Sequence, residues 1–288
     1  MNKKLMYCIL LGAMLLTSAC MFDFQLSERI INILSKVQNL GGDLDVIENT
    51  DALVSAWQED IDQLKRLLTS QSIPDHLLVD DPVMMGGEFD LMSIFDILDH
   101  IRMEEGYKLA YVYHYDFMGG YPIVYAYNIE AEPVVSHQEY LAGRAECLAA
   151  DDALPGCSAL DHVETDGSDL GYLQLVLLDL MGSQFYRYWH AQYNDTTPIA
   201  TQTALEEMIA SVSDPYIPLT DQEQKEAKAI DPTPQVNIGE DVIRVRVVWF
   251  TKWGGFYESW VEIQKEFPHT IIQDSTENLL EYDCGLMF

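Results

Sequence analysis

The chain has 288 residues, 48% of them hydrophobic and 22% charged. That is enough apolar material for a sizeable core, and it excludes a disordered tail, a collagen-like fibre and a disulfide-dense miniprotein. Lys and Arg number 16 against 47 Asp and Glu, a formal charge of −31, which argues against nucleic acid as a partner, because such binding needs basic side chains to displace counterions.

In chain order, Lys3 and Lys4 form a short basic start, an apolar stretch runs from Leu5 to Leu16, and small residues lead into Cys20. This order predicts a secretory signal over residues 1–19, since the stretch falls short of the roughly 20 apolar residues a transmembrane helix needs. Thr17-Ser18-Ala19-Cys20 resembles the lipobox of bacterial lipoprotein precursors. The resemblance implies that the Cys20 thiol is lipidated with acyl chains such as palmitate and that cleavage falls just before it. Two or more buried chains, at about 0.8 kcal/mol per methylene, anchor a protein stably to a membrane where one is marginal. The family prefers Leu where Thr17 stands, with Leu16 one residue further out, so secretion with simple cleavage after Ala19 remains the alternative.

Leu26, Ile30, Ile33, Leu34, Val37 and Leu40 recur at helical spacing before Gly41-Gly42, and Leu53, Trp57, Ile61, Leu64 and Leu68 do so again. These predict a helical segment over residues 20–73 whose helices pack on the main domain, because a free pair buries little. A third helix is expected from Asp90 to Met103. Beyond it the period changes from 3.6 to 2: Tyr107–Tyr115 with Tyr121–Tyr127, and Val242–Thr251 with Phe256–Ile263, read as two β-hairpins. Tyr172–Leu180 is an apolar run open to either reading, Gln184–Tyr193 reads as strand, and Thr203–Val212 reads as a helix opened by a Thr203–Glu206 capping box. The Pro-rich stretch 214–235 reads as a surface connection around a short polar helix. Residues 74–288 therefore form an α+β domain, an antiparallel sheet of hairpins with helices packed largely on one side and preceded by N-terminal helices. Bulky-Gly-small turns at Met85, Met118, Met181 and Trp253 suit either a duplicated hairpin or the ordinary use of Gly in tight turns.

Zinc, phosphate-loop, nucleophile-elbow and CxxC motifs do not occur, and no cofactor or metal is expected. The run from Asp161 to Asp169 fails as a calcium loop, because His162 and Leu173 fall where carboxylates are required; it reads as an acidic surface loop. Trp189, His190, Tyr193 and Asp195 form the densest polar and aromatic group. On a regular strand His190 and Asp195 point to opposite faces, so a catalytic dyad is awkward and no catalytic residue is assigned. Trp253, at a turn tip, is the best candidate for a ligand contact, whereas Trp249 and Trp260 read as core. In an exported compartment a disulfide between Cys147 and Cys157 would close a loop, and Cys284 reads as a buried free thiol.

These readings favour an exported, lipid-anchored envelope protein that binds a saccharide, a peptide or another envelope protein. The alternatives are an envelope hydrolase using His190 with a nearby carboxylate and a purely structural envelope component. The charge itself is testable: added sodium chloride shortens the Debye length from about 30 Å at 0.01 M to about 10 Å at 0.1 M and should screen self-repulsion. The melting temperature is expected to climb through that range; a flat or falling curve would mean that the carboxylates are compensated locally.

Overall fold

The computed structural model describes residues 45–46, 51–145, 157–212 and 217–285. The proposed signal, Cys20, the 24–40 helix and Cys147 lie outside the described residues.

Helix α1 (Asp51–Thr69) buries Trp57, Ile61, Leu64 and Leu68 along one stripe, as four-three-four spacing dictates. The stripe rests on α3 (Asp169–Met181), described below, where Trp57 Nε1 donates to the Leu173 carbonyl at 3.2 Å. After a short 3₁₀ turn, Asp75–Leu77, the expected third helix proves to be two things. Leu91–Asp96 is a 3₁₀ helix opened by the Asp90 side chain, and Ile101–Met103 is a strand, β2, so the apolar spacing serves both without a continuous helix. The first hairpin follows as read from sequence, β3 (Tyr107–Asp116) pairing antiparallel with β4 (Gly119–Asn128). Helix α2 (His137–Gly143) is capped by Ser136.

Strand β5 (Val163–Thr165) pairs with β2. The ambiguous apolar run is helical: in α3 every residue from Gly171 to Leu178 is buried, Gln174 included. A helix apolar on all sides belongs in an interior, and α3 packs against α1, β2, β5 and three strands of the largest sheet. Gln174 is tolerated there because both ends of its amide are used. Its Oε1 accepts from the His100 amide at 2.8 Å, and its Nε2 donates to Asp60 on α1 at 2.8 Å.

The 184–193 strand is corrected to a turn-rich segment. Only Tyr188–Trp189 (β6) pairs, with Gly119–Gly120, and His190–Tyr193 is 3₁₀. Strand β7 (Thr197–Ile199) precedes α4 (Gln202–Ser211), whose N-cap is Thr201, accepting from the Ala204 amide at 3.1 Å; the helix thus starts two residues before the Thr203 expected to cap it, and with Ala204 as the third helical residue the expected capping box does not form. Helix α5 (Asp221–Ala227) carries a real capping box, Thr220 with Glu223.

The last four strands are β8 (Gln235–Ile238), β9 (Val242–Thr251), β10 (Gly255–Gln264) and β11 (Ile271–Glu281). With β1 (Asp45–Val46) they make an antiparallel sheet of order β1-β8-β9-β10-β11, β7 pairing alongside β9. Ile243, Val245, Val261 and Ile263 alternate onto the face that carries the main core. Even-numbered residues face the other way: Arg244 pairs with Glu262 and Arg246 with Glu258 at one end, while Phe250 and Phe256 meet Leu205, Ile209 and Ala227 of α4 and α5 at the other. Of the aromatics expected in the core, Trp249 is half-buried and packs on it, stacked on Tyr257 at 4.4 Å. Trp260 is half-buried outside both clusters, its Nε1 donating to Glu258.

The four Gly turns are not equivalent. Gly119 and Gly255 close the two hairpins with φ of +138° and +103°, and a Cβ there would sit 2.5 Å from the Tyr188 carbonyl or 2.1 Å from that of Leu280, whereas Gly182 ends α3 in right-handed helical geometry. Trp57→Ala is expected to cost about 3–5 kcal/mol by urea unfolding, against under about 1 kcal/mol for Trp253→Ala, which stands half-exposed. Equal losses would place Trp253 in a packed environment.

Candidate functional site

The segment from Gln184 to Asp195 cannot run as a strand because its aromatics are pulled in different directions. Phe185 and Tyr186 turn into the core, Phe185 against Phe89 and Tyr111 at 4.9 and 4.7 Å between ring centres. Tyr186 and Trp189 both take φ of +50°, a left-handed conformation that costs a non-Gly residue on the order of 1–3 kcal/mol. The surroundings hold the turn in place. Tyr113, fully buried, donates to the Tyr186 carbonyl at 2.7 Å, the Phe89 amide donates to Tyr186 Oη at 3.0 Å, and Gln184 donates to the Thr196 carbonyl at 2.7 Å. Gly119 completes the fit by letting the β3–β4 tip approach the backbone of residues 188–191.

The sequence candidates divide into two groups. Trp189, 54% exposed, lies against His190 with ring centres 4.2 Å apart. Tyr193 and Asp195 join the β9–β10 turn instead, where the Tyr193 and Trp253 rings stand 5.8 Å apart. Asp195 ties the two segments together: its Oδ1 accepts from Thr251 Oγ1 at 2.8 Å and from the Lys252 amide at 3.1 Å, and Oδ2 pairs with Lys252 Nζ at 3.2 Å. None of these bonds goes to His190. The turn is further fixed by the Trp253 amide donating to Thr251 Oγ1 and by Asn278 donating to the Gly254 carbonyl. Trp253, half-exposed, thus projects from a braced tip.

Behind this turn lies a cleft of about 380 Å³ that sequence reading missed, lined by Lys65 of α1, Arg187, Lys252 and Asp195 over an apolar wall including Leu68, Met181 and Phe250. Burial lowers Arg187 from its ordinary value, with Asp195 opposing that fall. Burial likewise lowers Lys65, Asp195 and Asp62 raise it, and its like charges Lys252 and Arg187 depress it further.

A Ser, His and Asp also meet elsewhere, at Ser168, His100 and Asp166, without forming a relay. Ser168 Oγ and Asp166 Oδ2 both address the same ring nitrogen, His100 Nδ1, at 3.3 and 2.7 Å. A relay needs its base to hold the nucleophile on one nitrogen and the acid on the other. Ser168 is also the N-cap of α3, accepting from the Gly171 amide. The neighbouring acidic run is less of a surface loop than expected: Asp161 is buried, making a capping box with Ser158 and accepting from Thr270, while Glu164 pairs with Arg102. No group of three His, Cys, Asp or Glu able to hold a metal is found among the described residues. Cys157 is disulfide-bonded and Cys284 is a buried free thiol; Cys147, the expected partner of Cys157, lies outside the described residues. No described helix is long and apolar enough to cross a membrane. Comparison with protein-family profiles, with curated protein sequences and with solved structures returns no match.

Asp195 bears on which electrostatic effect dominates, the local pairing or the excess of negative charge. Asp195→Asn removes one carboxylate from a chain of charge −31 but leaves Lys252, Arg187 and Lys65 without their shared counter-charge. Because Lys252 is about one-third exposed, the expected loss is a modest 1–2 kcal/mol, about what an ion-paired hydrogen bond contributes after solvent screening. Urea unfolding at neutral pH checks it, and a gain in stability would show that global repulsion outweighs the local pair.

Proposed function

We propose that the chain is an exported, lipid-anchored protein of a bacterial envelope whose folded domain binds a ligand without transforming it. The ligand is a saccharide, a peptide or a segment of another envelope protein that lays a flat face on Trp253 and Tyr193. The observation that carries this reading is the braced β9–β10 tip. Trp253 is 51% exposed beside Tyr193, and the turn beneath it is held by the Thr251, Asp195 and Asn278 hydrogen bonds. Amphipathic rings on a rigid support give contact area at little entropic cost, which is how aromatic ligand platforms work. The basic, apolar, small-residue and cysteine order of residues 1–20 supports the anchor.

Two measurements test the reading. Cys20→Ala is expected to leave a form that no longer partitions into detergent, and unchanged partitioning would remove the anchor. Tryptophan fluorescence of the full chain, titrated with chito-oligosaccharides and separately with unstructured peptides, should show a saturable change that Trp253→Ala abolishes. A saturable change that survives Trp253→Ala would move the binding face elsewhere, and no saturable change with either probe series would count against binding.

A further inference from the structure

The cleft behind the β9–β10 turn gathers an unusual share of the chain's positive charge. The molecule has 16 basic residues among 47 acidic ones, so chance and charge neutralisation both favour surrounding each cation with carboxylates. Lys65, Arg187 and Lys252 instead line one cavity with, among the described residues, a single acid, Asp195, which pairs with Lys252. Among the described lining residues the cations outnumber the acids by two, and outside the lining Asp62 of α1 also acts on Lys65.

Arg187 is the sharpest of these. Its Nη1 is buried and meets no hydrogen-bond acceptor, whereas buried polar groups in folded proteins nearly always do. Arg246 shows what this chain provides for a buried guanidinium that serves the fold alone: Nε donates to Glu258 at 2.6 Å, Nη1 to the Thr233 carbonyl at 2.8 Å and Nη2 to the Asp231 carbonyl at 3.0 Å. Arg187 has no such set. Nor is its position incidental, since it sits between Tyr186 and Trp189, the two residues of this segment with left-handed backbone. The buried Tyr113 hydroxyl pins the carbonyl just before it. Strain of this kind persists where surrounding structure insists on it and clusters at binding sites.

We propose that this cleft binds a small organic oxyanion of about two negative charges, its oxygens bridging Arg187 and Lys65 and its body lying on the apolar wall. The charge follows from the excess of two cations over acids in the described lining. The planar guanidinium fork suits the paired oxygens of a carboxylate or phosphate. The size follows from the cavity, about 380 Å³, at the small end of ligand pockets. Leu68, Met181 and Phe250 offer nothing to a bare inorganic ion, so a dicarboxylate or phosphomonoester should bind more tightly than phosphate itself. Repulsion among the three cations is relieved when the anion arrives, and in a molecule otherwise strongly negative the cleft is a local exception able to retain it. This site is separate from the aromatic platform, although Lys252 connects the two.

The test is thermal unfolding of the full chain at constant ionic strength, set with sodium chloride, against succinate, glycerol 3-phosphate and inorganic phosphate. The expected result is a saturating rise in melting temperature with succinate or glycerol 3-phosphate, at lower concentration than with phosphate. Arg187→Gln should shift the midpoint by about tenfold or more, the scale of one charge-assisted hydrogen bond. Should Arg187→Gln fail to fold, Lys65→Gln, at an exposed helix position, is expected to weaken the same response. The proposal is overturned if no probe gives a saturable response, or if the response survives both substitutions unchanged. Loss of the anion response with oligosaccharide quenching intact would remove this proposal alone, and the reverse pattern would remove only the aromatic one.

Discussion

Burying α3 on every side is the constraint from which the architecture follows. A helix apolar all round has no face to give to water, so α1, the short β2–β5 ladder and one face of the large sheet are arranged around it. Such a helix could rotate or slide if packing alone held it, because hydrophobic contacts carry little direction. Gln174 supplies the direction. One buried amide joins α3 to the His100 backbone on one side and to Asp60 of α1 on the other, and burial raises Asp60 against the favourable bond from Gln174. Satisfied buried networks of this kind define one register among several that packing would allow.

The candidate site inherits its geometry from that frame. The segment leaving α3 must reverse at once, and it does so by sending Phe185 and Tyr186 back under the first hairpin, leaving Arg187 between the two strained residues. Asp195 then fastens the segment to the β9–β10 turn. A single carboxylate therefore joins two elements far apart in sequence, and among the described residues it is also the only acid lining the cleft with three cations. Assembly of the fold and the electrostatics of the site depend on the same side chain.

What could be read from the sequence follows from how local each signal was. Alternation in Val242–Thr251 and Tyr107–Tyr115 was strong because one face of each strand meets a core, and the stripe of α1 was strong for the same reason. The apolar positions from Leu91 to Ile101 had helical spacing, but pairing of Ile101 with Thr165 and the Gln174 bond to His100 drew the second half into a strand. Segment 184–193 alternated well enough to imitate a strand, and only tertiary pulls on Phe185 and Tyr186 broke it. Trp253 and Tyr193 were legible because exposed aromatics at turns are rare. The cleft cations were not, since Lys65, Arg187 and Lys252 come from three distant segments and no spacing rule connects them.

Strand β11 gave no periodic signal because neither of its faces is covered: nearly every residue from Ile272 to Leu279 is exposed. It is the outermost strand of its sheet in the described order, with no described strand pairing along its far row of backbone donors and acceptors. An eleven-residue open edge would ordinarily recruit copies of itself and seed fibrous aggregation. Here Asp274, Glu277 and Glu281 lie along it, and two copies brought edge to edge would set like charges side by side where screening is weakest. The acidity that marks this sequence therefore acts locally as a guard on its most adhesive element. It would count most where copies are crowded together, because there each edge meets another far more often than in dilute solution.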